Sequence, residues 1–422
     1  MVGFVEKNGV LHCDDVALPV IAAEVDTPVY VYSAAHIRAQ YDALAGAMVK
    51  ALPETRQPML CYACKANSNL AVLKVLQAQG SGLEIVSEGE LHRGLAAGFD
   101  AGRIVATGVG KQDSEIAVCL DKGIHQFNVE SLPELENIQA IAAQMDKSAD
   151  VVFRLNPNVS GGGHHKISTG RARDKFGISV ERIFEAFEMA QGMSHINALG
   201  LSMHIGSQVS TVETFEDAFK KLAGIVTDIR AAGHEITRLD IGGGFPIIYN
   251  EEDLLDFDAY ANWVNEIIEP LGTEIIMEPG RYLVGNGGAL LTEVLYVKET
   301  SDRDFLVIDA AMNDLIRPTL YDAYHGIEAV ENRDAQERVY DVVGPICETG
   351  DTFSQERSLP EMARGDLAVI KSAGAYGFCM ASNYNTRPLP AEVLVDGDQF
   401  TVIRKRQTYQ EIIDKDIIPE WL

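Results

Sequence analysis

Short apolar, β-branched runs recur along the chain at Met59–Ala63, Gly82–Val86, Ile104–Gly108, Gln126–Val129, Val151–Asn156, Leu199–Ile205, Leu239–Gly243 and Ile275–Glu278. Between them, stretches such as Leu70–Leu76, Leu91–Gly98, Leu132–Met145, Val180–Met189 and Thr214–Ala232 carry apolar residues at three-to-four spacing. That is the period of a helix buried on one face. Eight strand–helix repeats predict a parallel (β/α)8 barrel. An open doubly wound sheet is the alternative, because counting strands does not establish closure.

The texture changes after Arg281. Alternating runs follow at Ala289–Val297, Phe305–Ile308, Arg338–Val343, Leu367–Ser372 and Glu392–Val395, with turns between them and little helical period. They predict an all-β second domain, an antiparallel barrel or sandwich. The first 33 residues also read as strands, with Pro28-Val29-Tyr30-Val31-Tyr32 alternating, and are expected to pair with that domain. The predicted division is residues 34–281 for the barrel, and residues 1–33 with 282–422 for the β domain. The Gly-rich and basic Ser160–Arg173 stretch suggests a flap rather than a boundary.

A chain of 422 residues is too long for one ordinary core, which agrees with two domains. No apolar run approaches the roughly 20 residues that span a bilayer. The start, Met1-Val2-Gly3-Phe4-Val5-Glu6-Lys7, lacks a basic segment followed by an apolar core, so the expected location is cytoplasmic. A net charge of −27 argues against nucleic acid and against anionic membranes as partners. It leaves open a small-molecule pocket lined by a few arginines. The six cysteines are expected as free thiols. Cys61 and Cys64 are three apart with no second pair, and an extended chain points them to opposite faces, so no metal site is assigned.

Chemistry-bearing residues fall where a barrel of this kind collects them, just past strand ends. Lys65 follows the first run, His204-Ile205-Gly206-Ser207 the sixth, Gly242-Gly243-Gly244 the seventh, and Glu278-Pro279-Gly280-Arg281 the eighth. A lysine at such a mouth can form a Schiff base with a carbonyl cofactor. Consecutive glycines let backbone N–H groups approach a phosphate, and Ser207 adds a hydroxyl. Glu278 can keep a pyridine nitrogen protonated, and His204 can stack on a flat ring. Each feature has a bland reading: a surface lysine, a tight strand exit, a satisfied core histidine. Together they form the set that pyridoxal phosphate requires.

The motifs Tyr-Ala-Cys-Lys-Ala-Asn (62–67), His-Ile-Gly-Ser-Gln (204–208), Gly-Gly-Gly-Phe (242–245), Glu-Pro-Gly-Arg (278–281), Cys-Glu-Thr-Gly-Asp (347–351) and Gly-Ala-Tyr-Gly (374–377) run through nearly the whole chain. The chain thereby resembles the alanine-racemase-like fold type of pyridoxal-phosphate enzymes, and within it the ornithine/diaminopimelate/arginine decarboxylases. The segment Met312 to Tyr321 is most similar to the diaminopimelate branch. The resemblance implies that Lys65 holds the cofactor, that His204 stacks on its ring and that Glu278 pairs with its nitrogen. It implies that Ser207, Gly242 to Gly244, Pro279, Gly280, Arg281 and Tyr376 surround the phosphate. Arg281, Arg317 and Tyr321 would hold a distal substrate carboxylate, Glu348 and Tyr376 would complete the substrate pocket, and Cys347 would be the general acid. It also implies a homodimer with shared active sites. Glu84 stands where many relatives carry Asp and Glu88 where Gly is common, so neither receives a role.

The expected reaction is decarboxylation of meso-2,6-diaminopimelate to L-lysine. Arginines favour a substrate with a second carboxylate, whereas ornithine or lysine would favour an acidic distal pocket. A decarboxylase of another basic amino acid or of a carboxylated polyamine, a racemase, and a non-catalytic cofactor-binding homologue are the alternatives.

Overall fold

The computed structural model describes residues 3–156, 175–331 and 335–422. The Ser160–Arg173 stretch lies outside the described residues. The chain divides into two compact units, one of residues 39–247 with 253–283, the other of residues 1–38, 248–252 and 284–422.

The first unit is a closed parallel barrel. Its eight strands are Met59–Ala63, Gly82–Ile85, Ile104–Ala106, Gln126–Val129, Ala149–Asn156, Ile196–Met203, Arg238–Asp240 and Glu274–Met277. Each pairs in parallel with the next. The eighth returns to the first through Ile276↔Met59 and Met277↔Leu60, which closes the ring. Burial on both faces explains why the strands read as continuous apolar runs. Cys61, Val105 and Ile276 form an apolar cluster with Met59.

Side-chain caps set where the helices after the first, second and fourth strands leave the rim. Asn69 accepts from the Ala71 amide, Ser87 from Glu90 and Ser131 from Glu134. The helix Glu88–Ala97 therefore begins three residues before the apolar period signals it, because its first turn is polar and its start is fixed by the Ser87 cap. Similarly, the sixth and seventh strands end earlier than their apolar runs. His204 and Gly242 to Gly244 lie beyond the ladder, where the backbone is free to turn.

The second unit is built on a nine-stranded sheet. Its main path runs Thr352–Pro360, Glu337–Val343, Asp304–Ile308, Gly288–Glu299, Val29–Ser33, Ala391–Asp396, Gln399–Arg404. The long strand Gly288–Glu299 also pairs with Leu367–Ile370, which carries Ile327–Ala329. Val29–Ser33 pairs antiparallel with Gly288–Glu299 and parallel with Ala391–Asp396, so the N-terminal segment is built into this sheet. The expectation of an antiparallel domain needs correcting, because two pairings are parallel: this one, and Asp304–Ile308 with Glu337–Val343. Residue alternation reveals a half-buried strand but not its direction, which the connections decide. A meander of Phe4–Lys7, Val10–Cys13 and Val16–Ala17 joins its core through Phe4, Leu11, Cys13 and Val16, which pack with Val29, Val31, Leu291 and Val393.

Gly200 marks a shift of register between the fifth and sixth barrel strands, and a Cβ there would sit 1.8 Å from the Arg238 carbonyl oxygen. Gly200→Val is expected to destabilise the barrel by about 1–3 kcal/mol, the usual range for overpacking. Gly224, inside the helix Val212–Ala231, meets nothing within 4 Å, so Gly224→Ala is expected to stabilise it by about 1 kcal/mol. Urea unfolding of the two variants checks both signs.

Candidate active site

The barrel rim holds one lysine against a buried acid. Lys65 sits in a single tight turn, Cys64–Ala66, at the exit of the first strand, with its side chain 38% exposed. Its Nζ donates to Glu84 Oε2 at 2.5 Å, and the Glu84 side chain is fully buried in the second strand. The Cys61 and Cys64 thiols beside this turn are buried, and burial pushes both up as acids.

Glu278 follows the eighth strand, which neighbours the first, and is buried. Its Oε1 lies 3.2 Å from Asn128 Nδ2 and 3.4 Å from Thr107 Oγ1. Asp240, at the end of the seventh strand, is fully buried and hydrogen-bonded to Glu278. Burial raises the Glu278 carboxyl well above the usual range; the negative charges of Asp240 and Glu84 add to that, and Lys65 opposes it. A protonated Glu278 is the acid needed beside a heteroaromatic nitrogen.

His204 lies just past the sixth strand, and its Nδ1 accepts the Gly243 amide at 3.3 Å. That bond places any ring proton on Nε2. Burial, then the positive charges of Arg154 and Lys65, hold the imidazole neutral. Arg154 is itself buried on Glu130, at 2.8 Å, and completes an ion pair that the sequence did not signal.

The glycine turn fits an anion. Gly242 and Gly244 adopt φ of 69° and 96°, which side chains rarely take. A Cβ on Gly244 would sit 2.3 Å from the Gly206 carbonyl oxygen, so only glycine lets these two turns touch. Arg281 donates through Nε and Nη2 to Ser207 Oγ at 3.3 and 3.2 Å, which puts a guanidinium and a hydroxyl side by side. Pro279 and Gly280 bridge Glu278 to Arg281, and the Pro279 carbonyl accepts the Ala63 amide at 2.9 Å. A lysine, a neutral imidazole, a protonated carboxyl and an Arg–Ser–glycine cradle on one rim suit a phosphorylated pyridine aldehyde.

The remaining candidates belong to the sheet unit. Arg317 opens and Tyr321 closes the short helix Arg317–Tyr321. Arg317 is buried, lies 4.6 Å over the Tyr249 ring and donates to His325 Nε2 at 2.8 Å. His325 Nδ1 in turn donates to the Lys371 carbonyl, which fixes the tautomer that accepts from Arg317. Within the same helix, Thr319 Oγ1 donates to the Gly350 carbonyl at 2.7 Å, which seats it beside the Cys347–Asp351 turn. Cys347 and Glu348 are exposed there. Asp351 spends its oxygens on the Met312 and Ile346 amides, at 2.6 and 2.7 Å, and thus shapes the turn instead of facing the thiol. Glu348 Oε2 accepts from the Tyr384 hydroxyl at 2.7 Å, a neighbour the sequence reading did not select. Tyr376 is half-buried with φ of 57°, a strained backbone for a bulky residue.

Sequence reasoning missed Glu84, Asp240, Asn128 and Arg154 as parts of the rim. Glu84 and Arg154 are charged residues inside otherwise largely apolar strands, a signal the sequence offered; Asn128 and Asp240 lie in strands that carry a second polar residue, Gln126 and Arg238, and offered none.

The neutrality of His204 has a measurable consequence. Its proton affinity is lower folded than unfolded, so its contribution to stability is whole above about pH 6.5 and is lost as pH falls. The expected loss is about 1.4 kcal/mol per pH unit below that point. His204→Gln should flatten this acid slope by that amount in urea titrations at pH 7.5 and pH 5.5.

Comparison with known proteins agrees with this geometry. Residues 35–285 match the model of the pyridoxal-dependent decarboxylase, pyridoxal binding domain. The chain is 46% identical over 409 residues to a diaminopimelate decarboxylase of Pseudomonas aeruginosa, covering 97% of each chain. The structure of diaminopimelate decarboxylase from Helicobacter pylori complexed with L-lysine superposes with a TM-score of 0.89 at 37% identity, over 94% of this chain and 98% of that one. That of the m. jannaschii enzyme with L-lysine gives 0.94 at 34% identity, over 99% and 98%. No helix among the described residues is long and apolar enough to cross a membrane. With its barrel rim suited to a pyridoxal group and its full length shared with these enzymes, the chain belongs to the diaminopimelate decarboxylase family of pyridoxal-dependent decarboxylases.

Proposed function

We propose that this chain decarboxylates meso-2,6-diaminopimelate to L-lysine and carbon dioxide with pyridoxal 5'-phosphate as cofactor, the closing reaction of lysine biosynthesis. The observation that carries this reading is the meeting of Lys65, neutral His204 and the Glu278–Asp240 pair on one barrel rim. The pyridoxal group, when bound, supplies an electron sink for the carbanion left by loss of carbon dioxide.

The chain's own residues do the rest. The Lys65 amine would hold the aldehyde carbon, and Glu84, which accepts from that amine, orients it. His204 lends the face of an uncharged ring, which adds no positive charge above the site. Glu278 holds the proton at the ring nitrogen. Ser207, Gly242 to Gly244, Pro279, Gly280, Arg281 and Tyr376 bind the phosphate. Arg281, Arg317 and Tyr321 bind the distal carboxylate, and Glu348 the distal ammonium. A planar guanidinium suits a carboxylate because it donates two parallel bonds. Cys347, as a thiol, delivers a proton to the former α-carbon.

Carbon dioxide release is expected from meso-diaminopimelate and not from lysine, ornithine or arginine at equal concentration. Preference for any of those three overturns the substrate reading. Lys65→Ala should lose both the visible absorbance of the bound cofactor and turnover. Cys347→Ala should keep the absorbance and lose most turnover; full activity would assign the proton to another donor.

We also infer a homodimer whose two copies share each active site, with Cys347, Glu348 and Tyr376 serving the Lys65 of the other copy. The exposure of Cys347 and Glu348 in the single chain supports this. Mixing inactive Lys65→Ala with the weakly active Cys347→Ala should then raise activity to about a quarter of wild type, since random re-pairing leaves one intact site in half of the dimers. No recovery after verified exchange of subunits would mean that each chain completes its own site.

A further inference from the structure

Two buried carboxyl groups meet inside the barrel, and only one of them has a place in the reaction described above. Asp240 ends the strand Arg238–Asp240, and Glu278 follows the neighbouring strand Glu274–Met277. Hydrogen bonding joins them directly. Asn128 Nδ2 bridges the two from a third strand, 2.9 Å from Asp240 Oδ2 and 3.2 Å from Glu278 Oε1. Its orientation is set by Gln126, whose Nε2 donates to Asn128 Oδ1 at 2.8 Å, so the amide must turn its N–H groups to the acids. Gly242 donates its amide to Asp240 Oδ1 at 2.9 Å.

Two carboxyl groups in contact cannot both ionise in a buried layer, so the pair keeps one proton. The surroundings decide which member carries it. Each acid accepts two hydrogen bonds besides the one that joins them, but those to Asp240, from Asn128 and the Gly242 amide, are both 2.9 Å, whereas those to Glu278, from Asn128 and Thr107, are 3.2 and 3.4 Å, so the carboxylate form is favoured more at Asp240. Glu278 faces the charges of Asp240 and Glu84, with Lys65 as the opposing cation, and the buried Cys61 thiol stays neutral beside them. The proton therefore rests on Glu278.

We propose that Asp240 is a positioning residue that keeps Glu278 loaded with a proton and, once Glu278 has handed that proton to a pyridine nitrogen, adds a second negative charge that holds it there. This rests on the reading that Glu278 faces the cofactor nitrogen. The transfer balances: an O–H bond of Glu278 breaks, an N–H bond forms on the ring, and the assembly keeps one net negative charge. The Gly242 amide ties Asp240 to the glycine turn, so the same carboxylate links the ring-nitrogen end of the site to its phosphate end.

The test uses holoenzyme loaded with cofactor carrying 15N in its ring, whose nitrogen chemical shift reads protonation directly across a pH series. In wild type the protonated signal is expected to persist to high pH. Glu278→Gln should give the unprotonated signal. Asp240→Asn should leave the protonated position at a pH lower by about one to three units, the range for loss of a nearby opposite charge, with kcat reduced and KM little changed. Asp240→Ser, which also removes the charge and keeps a hydroxyl for the Gly242 amide, stands in if the first variant does not fold. If Glu278→Gln moves the signal while both Asp240 variants superpose on wild type, the proposal is overturned and the role of Glu278 stands. If Glu278→Gln leaves the signal in place, the reading of Glu278 itself falls, and the proposal with it.

Discussion

Among the described residues, the Lys65 ammonium faces three buried carboxyl groups, Glu84, Asp240 and Glu278, and this imbalance of charge governs the site. Lys65 touches Glu84 directly, and Asp240 and Glu278 touch each other. A buried layer cannot hold three negative charges against one positive charge, since each unpaired ion loses its hydration without repayment. The layer therefore retains a proton, and the shorter hydrogen bonds from Asn128 and Gly242 to Asp240 leave it on Glu278. His204 answers the same field from the other side. Burial, with the positive charges of Arg154 and Lys65 added to it, keeps the ring neutral, and it accepts the Gly243 amide.

Barrel closure makes the arrangement possible. Glu84, Asn128, Asp240 and Glu278 come from strands two, four, seven and eight, and only a ring lets Asn128 reach across to Asp240 and Glu278. An open sheet of the same order would leave the first and eighth strands unpaired, whereas Ile276↔Met59 joins them. Glycines then permit the loops to converge. A Cβ on Gly243 would lie 2.1 Å from the Glu278 carbonyl oxygen, so the seventh and eighth strand exits approach as closely as the backbone allows.

The barrel was legible in the sequence because its strands are buried on both faces and so read as unbroken apolar runs. Lys65, His204, Ser207, the glycine turn and Glu278 were legible because they stand at the ends of those runs. Asn128 and Asp240 were not, because a polar residue within a run carries no mark of whether it lines the barrel's interior or its end. Glu84 was noticed only as a departure from a pattern; its contact with Lys65 depends on how far the second strand projects relative to the first, which pairing register determines. In the sheet unit, alternation revealed strands but not their order. Val29–Ser33 joins Gly288–Glu299 and Ala391–Asp396 across hundreds of residues, and no local pattern encodes that partnership. The Arg317–His325–Lys371 chain is likewise a product of tertiary structure, since it needs a strand end to present the Lys371 carbonyl.

Glu84 shows how far the charge argument reaches. One carboxylate oxygen, Oε2, accepts from Lys65, while Oε1 is buried with no hydrogen-bond partner among the described residues. A half-satisfied carboxylate in a dry layer is costly, and the ammonium of Lys65 is what offsets that cost. The extra methylene of glutamate matters here because it extends the acid toward the amine while its stem stays inside the barrel wall. A shorter acid at this position would draw back from Lys65 and nearer the strand, and the ion pair between the two would lengthen.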